Sequence, residues 1–251
     1  MIALIDYGAG NVRSVHKALE TVGAEVQVTH SPGAVLAAEK IVLPGVGAFG
    51  DCMAGLRRAG LVEALIQAVE RGTPLLGICV GMQVLFEEGE EMGHHAGLGL
   101  LPGRVVRFVF ASPSVEGGCP LKIPHTGWNQ IEPVRTSPLL DDVSRPWAYF
   151  NHAYTCRTHP EHVLAVTDYG GPFPSVVGRG HVYGVQFHPE KSQEVGLRIL
   201  RNFCEIGDWR IEKREWRMNG RSTRPSTCGE GGSCGSGRAI RTGRPGTPTT
   251  R

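Results

Sequence analysis

Cys79 stands between glycines in Gly77-Ile78-Cys79-Val80-Gly81, directly after an apolar run and before a helix-like stretch. The segment has the form of a nucleophile elbow, G-x-C-x-G, with cysteine where hydrolases more often carry serine. Small residues on both sides let the backbone turn sharply from strand into helix and leave the sulfur exposed above a sheet. A thiol nucleophile needs a base and a group to orient it, and Gln186-Phe187-His188-Pro189-Glu190 offers an imidazole and a carboxylate. Side chains at i and i+2 of a strand point the same way, which puts His188 and Glu190 on one face. Pro189 gives up its N–H, which suits the end of a strand. Either fragment alone is unremarkable: a lone cysteine is usually a small buried hydrophobe, and short motifs match by chance. Their order along the chain, each at a strand end, points to a Cys-His-Glu acyl-transfer site.

The elements needed to position these groups are visible in the first half of the chain. Ile2–Ile5 reads as a strand, and Val12–Val22 as a helix with Val15, Leu19 and Val22 on one face. Glu25–Thr29 and Ile41–Leu43 read as strands, Leu56–Glu70 as one amphipathic helix ended by Gly72, and Pro74–Ile78 as a strand feeding a helix after Cys79. This β-α-β-α order predicts an α/β, flavodoxin-like, mostly parallel sheet flanked by helices, with the active site at the carboxyl ends of the strands. From Arg104 to Gln186 the pattern changes to short strands between Pro- and Gly-rich turns: Arg104–Phe108, Trp128–Glu132, His162–Val166, Ser175–Gly178 and Val182–Phe187. That change predicts an added antiparallel layer in the second half. Ser192–Ile206 reads as a closing helix with Val195, Ile199 and Phe203 in register.

The chain has 251 residues, 41% of them hydrophobic and 20% charged, as ordinary globular proteins do. Its net charge of +2 conceals an asymmetry: residues 1–209 carry 16 Lys/Arg against 21 Asp/Glu, and residues 210–251 carry 10 against 3. The body therefore gives no reason to expect a nucleic acid partner. The N-terminal Met1–Asp6 lacks the basic and long apolar regions of a secretory signal, and the apolar run Pro74–Phe86 is too short to span a membrane. Seven cysteines without framework spacing fit a reduced, cytoplasmic setting, where the thiol of Cys79 stays free. Residues 1–207 are expected to form one domain. Residues 208–251 form a basic tail rich in Gly, Ser, Thr and Arg, expected to be disordered for want of apolar surface to bury. Gly8-Ala9-Gly10 is an incomplete dinucleotide fingerprint, since Arg13 holds the third glycine position, and no cofactor is assigned. His94, His95, His152, His159 and His162 lack ligand spacing with supporting carboxylates, so no metal is assigned either.

The Cys and His-Pro-Glu motifs resemble those of the triad-type (class I) glutamine amidotransferases. Further segments narrow the resemblance to the glutaminase subunits of imidazole glycerol phosphate synthases, in histidine biosynthesis. These are Ile5–Asn11, Leu43–Phe49, Gly77–Phe86, Gly97–Leu100, Gly127-Trp128-Asn129-Gln130, Tyr149-Phe150-Asn151-His152, Gly184–Ser192 and Leu197–Phe203. The similarity runs in order over residues 1 to about 206, and the tail departs from it. It implies an enzyme that hydrolyses L-glutamine through a thioester on Cys79, with His188 as the acid–base group and Glu190 holding the ring. It also implies a heterodimer with a (β/α)8-barrel cyclase subunit that receives the ammonia. Oxyanion donors are then expected from the Val80 N–H and from Gly45, Val46 or Gly47, although spacing alone would make Pro44–Gly47 an ordinary turn. Gln83 stands as either a reader of the substrate's α-carboxylate or amino group, or an exposed helix glutamine. The Gly127–Gln130 and Tyr149–His152 segments resemble the family's subunit interface, although Trp128 and Phe150 equally suit a core. Two other readings are a glutaminase for a different synthase and a catalytically silent binding module of the same fold.

Overall fold

The computed structural model describes residues 1–110, 121–143 and 146–207, so the expected tail lies outside the described residues. The chain opens with strand β1 (Ile2–Ile5), helix α1 (Val12–Thr21), β2 (Val26–Thr29), α2 (Pro32–Ala37) and β3 (Lys40–Gly45). It continues through α3 (Phe49–Arg58), α4 (Val62–Glu70), β4 (Leu75–Cys79) and the single-turn α5 (Val80–Gln83). Short strands follow: β5 (Glu88–Gly89), β6 (His95–Ala96), β7 (Arg104–Arg107), β8 (His125–Gln130) and β9 (Glu132–Pro133). The last part holds β10 (Trp147–His152), β11 (Tyr154–Arg157), β12 (Val163–Asp168), β13 (Pro172–Arg179), β14 (Val182–Val185) and α6 (Gln193–Glu205).

The main sheet has eight strands in the order β2-β1-β3-β4-β14-β13-β12-β9. Its β2, β1, β3, β4 and β14 run parallel, and β13, β12 and β9 continue it with antiparallel pairings. Every residue of β1 and β4 is buried, as expected of strands covered by helices on both faces. α1 buries Val15, Ala18 and Leu19, and α6 buries Val195, Ile199 and Phe203 along with its neighbours. The antiparallel part of the fold takes two forms. Strands β13, β12 and β9 extend the parallel sheet, while a mixed four-stranded sheet (β11-β7-β5-β6), with β5 and β7 parallel, and an antiparallel ribbon of β8 with β10 are separate from it.

Three sequence expectations need correction. The helix expected over Leu56–Glu70 is two helices, α3 and α4, because Gly60 adopts φ +65° and no right-handed helix passes through that conformation. The strand expected over Trp128–Glu132 is divided: β8 pairs with β10, while β9 pairs with β12 in the main sheet. The strand expected over Val182–Phe187 ends at Val185, and Pro189–Lys191 is a 3-10 turn. His188 and Glu190 therefore do not meet as strand neighbours; Pro189 opens the turn that brings them together.

Candidate active site

Cys79 is the last residue of β4 and adopts φ 55°, ψ −115°, a left-handed conformation rare for any residue but glycine. Such backbone strain costs on the order of 1–3 kcal/mol and persists only where the surroundings hold it. Here the hold is close packing of backbone on backbone. A Cβ on Gly81 would sit 1.9 Å from the Leu43 carbonyl oxygen, and one on Gly45 would sit 2.3 Å from the Gly81 nitrogen. The glycines thus let α5 lie directly on β3, and the sulfur is thrust into a cavity of about 210 Å³. Because α5 spans only Val80–Gln83, its macrodipole is slight; what it offers the sulfur is the free N–H groups of a first turn.

The cavity is walled by Val46, Gly47, Cys79, Val80, Gln83, Glu91 and His188, and also by Pro124 and Asn151–Tyr154. Larger clefts lie elsewhere, about 310 Å³ beside Arg107 and Arg157 and about 490 Å³ beside Lys40 and Arg71. The first contains Cys156, whose thiol burial pushes up to about 12, and neither contains a histidine. Of these three, the small cavity alone pairs a thiol with an imidazole. Its size, below the ~300 Å³ of a drug-sized site, suits an amino acid.

His188 Nδ1 lies 3.0 Å from Glu190 Oε1, whose side chain is fully buried, and Asn11 Nδ2 donates to the same oxygen at 3.1 Å. The His188 N–H donates to the Tyr149 carbonyl at 2.9 Å. The Ser192 hydroxyl donates to the His188 carbonyl at 2.6 Å and accepts from the Tyr149 N–H at 3.0 Å. His188 is thereby fixed to the β10 ribbon. Burial alone would lower the pKa of His188, but the Cys79 sulfur and the Glu190 carboxylate outweigh it and raise the pKa to about 9. Burial pushes Glu190 up, and the imidazolium, with Asn11 assisting, brings it below the usual carboxylate value. At neutral pH the pair is imidazolium and carboxylate.

Of the expected oxyanion residues, Val46, Gly47 and Val80 line the cavity. Gly45 instead packs under the elbow, in register with Cys79 across β3 and β4. Two groups hold this loop from behind. Tyr7 Oη donates to the Pro44 carbonyl at 2.9 Å, and Cys52 Sγ lies 3.6 Å from the Val46 carbonyl oxygen. Gly47 has φ +96°, with open space where a side chain would be. Gln83 is buried rather than exposed, and its Nε2 donates to the Tyr154 carbonyl (3.2 Å) and to Gln186 Oε1 (3.1 Å).

Sequence reasoning missed Glu91, Asn11 as a partner of Glu190, and Gln186. Glu91 lies in a charged, aperiodic stretch with no pattern to single it out, and Asn11 stood only within a quoted segment. Gln186 carried a usable signal, since it precedes His188 by two positions at a strand end. Trp128 and Phe150, left open between interface and core, divide: Trp128 is 45% exposed and Phe150 is fully buried. Among the described residues no group of three His, Cys, Asp or Glu is arranged to hold a metal, and no helix is long and apolar enough to cross a membrane.

Residues 3–206 match the family described as "Glutamine amidotransferase class-I". The chain is 51% identical to the imidazole glycerol phosphate synthase subunit HisH of Salinibacter ruber, covering 82% of this chain and 94% of the relative. It is 52% identical to the HisH subunit of Syntrophotalea carbinolica, covering 82% and 100% respectively. Among solved structures, a glutamine amidotransferase aligns with a TM-score of 0.64 at 22% identity, covering 82% of this chain and 98% of the other. PurLQS from Thermotoga maritima aligns with a TM-score of 0.60 at 19% identity, covering 81% and 96%. Both structural likenesses are in the fold.

Proposed function

The chain belongs to the class-I glutamine amidotransferase family, and from that membership we propose that it is the glutaminase subunit of an imidazole glycerol phosphate synthase. The observation that carries the chemistry is a strained Cys79 sharing a cavity with His188, whose ring is paired with the buried Glu190. The names of relatives about half identical over nearly their whole length favour this synthase over another glutamine-dependent one.

The Cys79 thiolate attacks the carboxamide carbon of glutamine, forming a C–S bond and an oxyanion. The Val80 N–H and an N–H of the Pro44–Gly47 loop receive that charge, each worth ~3 kcal/mol when aimed at the transition state. His188 then protonates the nitrogen, the C–N bond breaks, and ammonia leaves a thioester. Acylation also removes the anionic sulfur, one of the two supports of the raised His188 pKa. The ring can now stay neutral long enough to deprotonate the water that cleaves the thioester, releasing glutamate and restoring the imidazolium. Glu190 keeps Nδ1 protonated and the ring in place. Gln83 has spent its amide protons, so it offers the substrate an acceptor, which fits the α-ammonium rather than the α-carboxylate. Glu91 adds a negative charge on the same wall.

The ammonia goes to a (β/α)8-barrel cyclase subunit in a heterodimer, which forms imidazole glycerol phosphate and an aminoimidazole carboxamide ribotide. A cytoplasmic setting keeps the Cys79 thiol reduced. The test measures synthesis with glutamine and with ammonium salt in the reconstituted pair. Cys79→Ala abolishes the first and spares the second. Equal loss with both nitrogen sources would assign Cys79 to assembly and sink the proposal.

A further inference from the structure

Gln186 is fully buried beside the reacting sulfur, and the chemistry above gives it no task. A buried carboxamide is unfavourable unless its donors and acceptor find partners. The partners here fix which way it faces. His152 Nδ1 lies 2.8 Å from the Tyr154 carbonyl oxygen, which can only accept, so that nitrogen carries the proton. His152 Nε2 is then bare and accepts from His125 Nδ1 at 3.2 Å; His125 Nε2 in turn accepts from Asn129 Nδ2 at 3.3 Å. Burial keeps both rings neutral, lowering His152 to about 3 and His125 to about 4.

The same Tyr154 oxygen faces the Gln83 amide at 3.2 Å, so the Gln83 atom there is its nitrogen. That nitrogen lies 3.1 Å from the Gln186 carboxamide, so the Gln186 atom there is the oxygen. The Gln186 nitrogen is thereby turned toward Cys79, 4.0 Å from Sγ, and the sulfur is its only acceptor among the described residues. Turning either amide over would set donor against donor or acceptor against acceptor.

We propose that Gln186 is a further catalytic residue, its carboxamide N–H stabilising the Cys79 thiolate, with Gln83 as the positioning residue that aims it. The proposal rests on Cys79 being the nucleophile. In the ion pair with the His188 imidazolium the sulfur has already given up its proton and keeps the electron pair. The long contact of the Gln186 N–H is therefore made to an anion, and charge-assisted contacts of this kind tighten when substrate binds.

The test follows alkylation of Cys79 by iodoacetamide from pH 5 to pH 10 in the full chain. The adduct is located by peptide mass mapping, because Cys52, Cys156 and Cys204 are also free thiols. Gln186→Met keeps the volume and removes the donor; Gln186→Glu keeps an oxygen for Gln83 and sets another against the sulfur. The alkylation midpoint is expected to rise by about one pH unit in Gln186→Met and further in Gln186→Glu. Glutamate release, with the cyclase present, should fall in kcat by ~10–100-fold at nearly unchanged KM. A purely structural role would leave the midpoint where it is. If Gln186→Met fails to fold, Gln186→Glu carries the test, and a folded variant that titrates and turns over like wild type overturns the proposal. If Cys79 in the wild type is not alkylated at any pH, the nucleophile reading fails first, without reference to a variant.

Discussion

His188 ties the chemistry of the site to its stability. Its folded pKa of about 9 lies above the ordinary histidine value of 6.5, so it adds stability that is complete below about 6.5 and is lost as pH rises through about 9. Glu190, held below its ordinary value of 4.5, adds stability above 4.5 that is lost as pH falls through its folded value. The thermal midpoint of wild type should therefore exceed that of His188→Asn most near pH 5–6.5, with the gap closing toward pH 9. A gap that stays constant from pH 6 to 9.5 would mean that no imidazolium is buried there. The two residues also differ in what their loss removes. His188→Asn removes the proton carrier itself. Glu190→Gln leaves the ring but weakens its orientation and its charge partner, and glutamine-dependent turnover should survive at a low level that His188→Asn does not reach. Equal loss in both would make Glu190 a participant in proton transfer.

Glycine marks the elements on which the site depends, in two different ways. Gly81 is required by proximity: in Gly81→Ala the new Cβ meets the Leu43 carbonyl, and backbone cannot move aside as a flexible side chain can. Overpacking of this kind costs ~1–3 kcal/mol or more, so the thermal midpoint should drop by several degrees and activity should fall with it. Gly47 is required by conformation: its side-chain space is open, but φ is +96°. Gly47→Val strains the loop locally and should leave complex formation intact while cutting partner-stimulated turnover, because the loop can no longer swing an N–H to the oxyanion. Normal turnover in Gly47→Val would remove that loop from the mechanism. The same contrast bounds what the sequence could reveal. The parallel sheet was legible because β1 and β4 are uninterrupted apolar runs, and the grouping of Cys79 with His188 and Glu190 because the two motifs follow in order, each after an apolar strand. The break at Gly60, the turn at Pro189 and the division of Trp128–Glu132 between two sheets were not, since propensity blurs over short spans and tertiary packing places the ends. Glu91, Asn11 and Gln186 reach the site through contacts between distant segments, which no local pattern records.

At the scale of the whole molecule, His188, the proposed base, is fastened to a ribbon that also reaches the surface. The N–H and carbonyl of His188 engage the Tyr149 carbonyl and the Ser192 hydroxyl, and β10 pairs along its full length with β8. That ribbon presents Trp128 at 45% exposure and Trp147 at 50%, with Trp128 edge-on to Tyr149 and the Lys191 ammonium 5.5 Å from the Tyr149 ring. Exposed aromatics next to a cation form a surface suited to a protein partner. A partner seated there would press on the strand that holds the base and on the wall of the cavity formed by Asn151–Tyr154. Uncoupled hydrolysis wastes glutamine, since ammonia is mostly protonated at neutral pH and diffuses away. The isolated chain should therefore be nearly inactive and be switched on by the cyclase carrying its nucleotide, through a shift in population of the Pro44–Gly47 loop. Trp128→Ala should weaken the complex and, at saturating partner, still permit activation, whereas Gly47→Val should bind and fail to activate. Steady-state glutamate release, titrated against partner, separates the two. An isolated chain that already hydrolyses glutamine at the rate of the complex would show that the loop is not gated and that the ribbon serves docking alone.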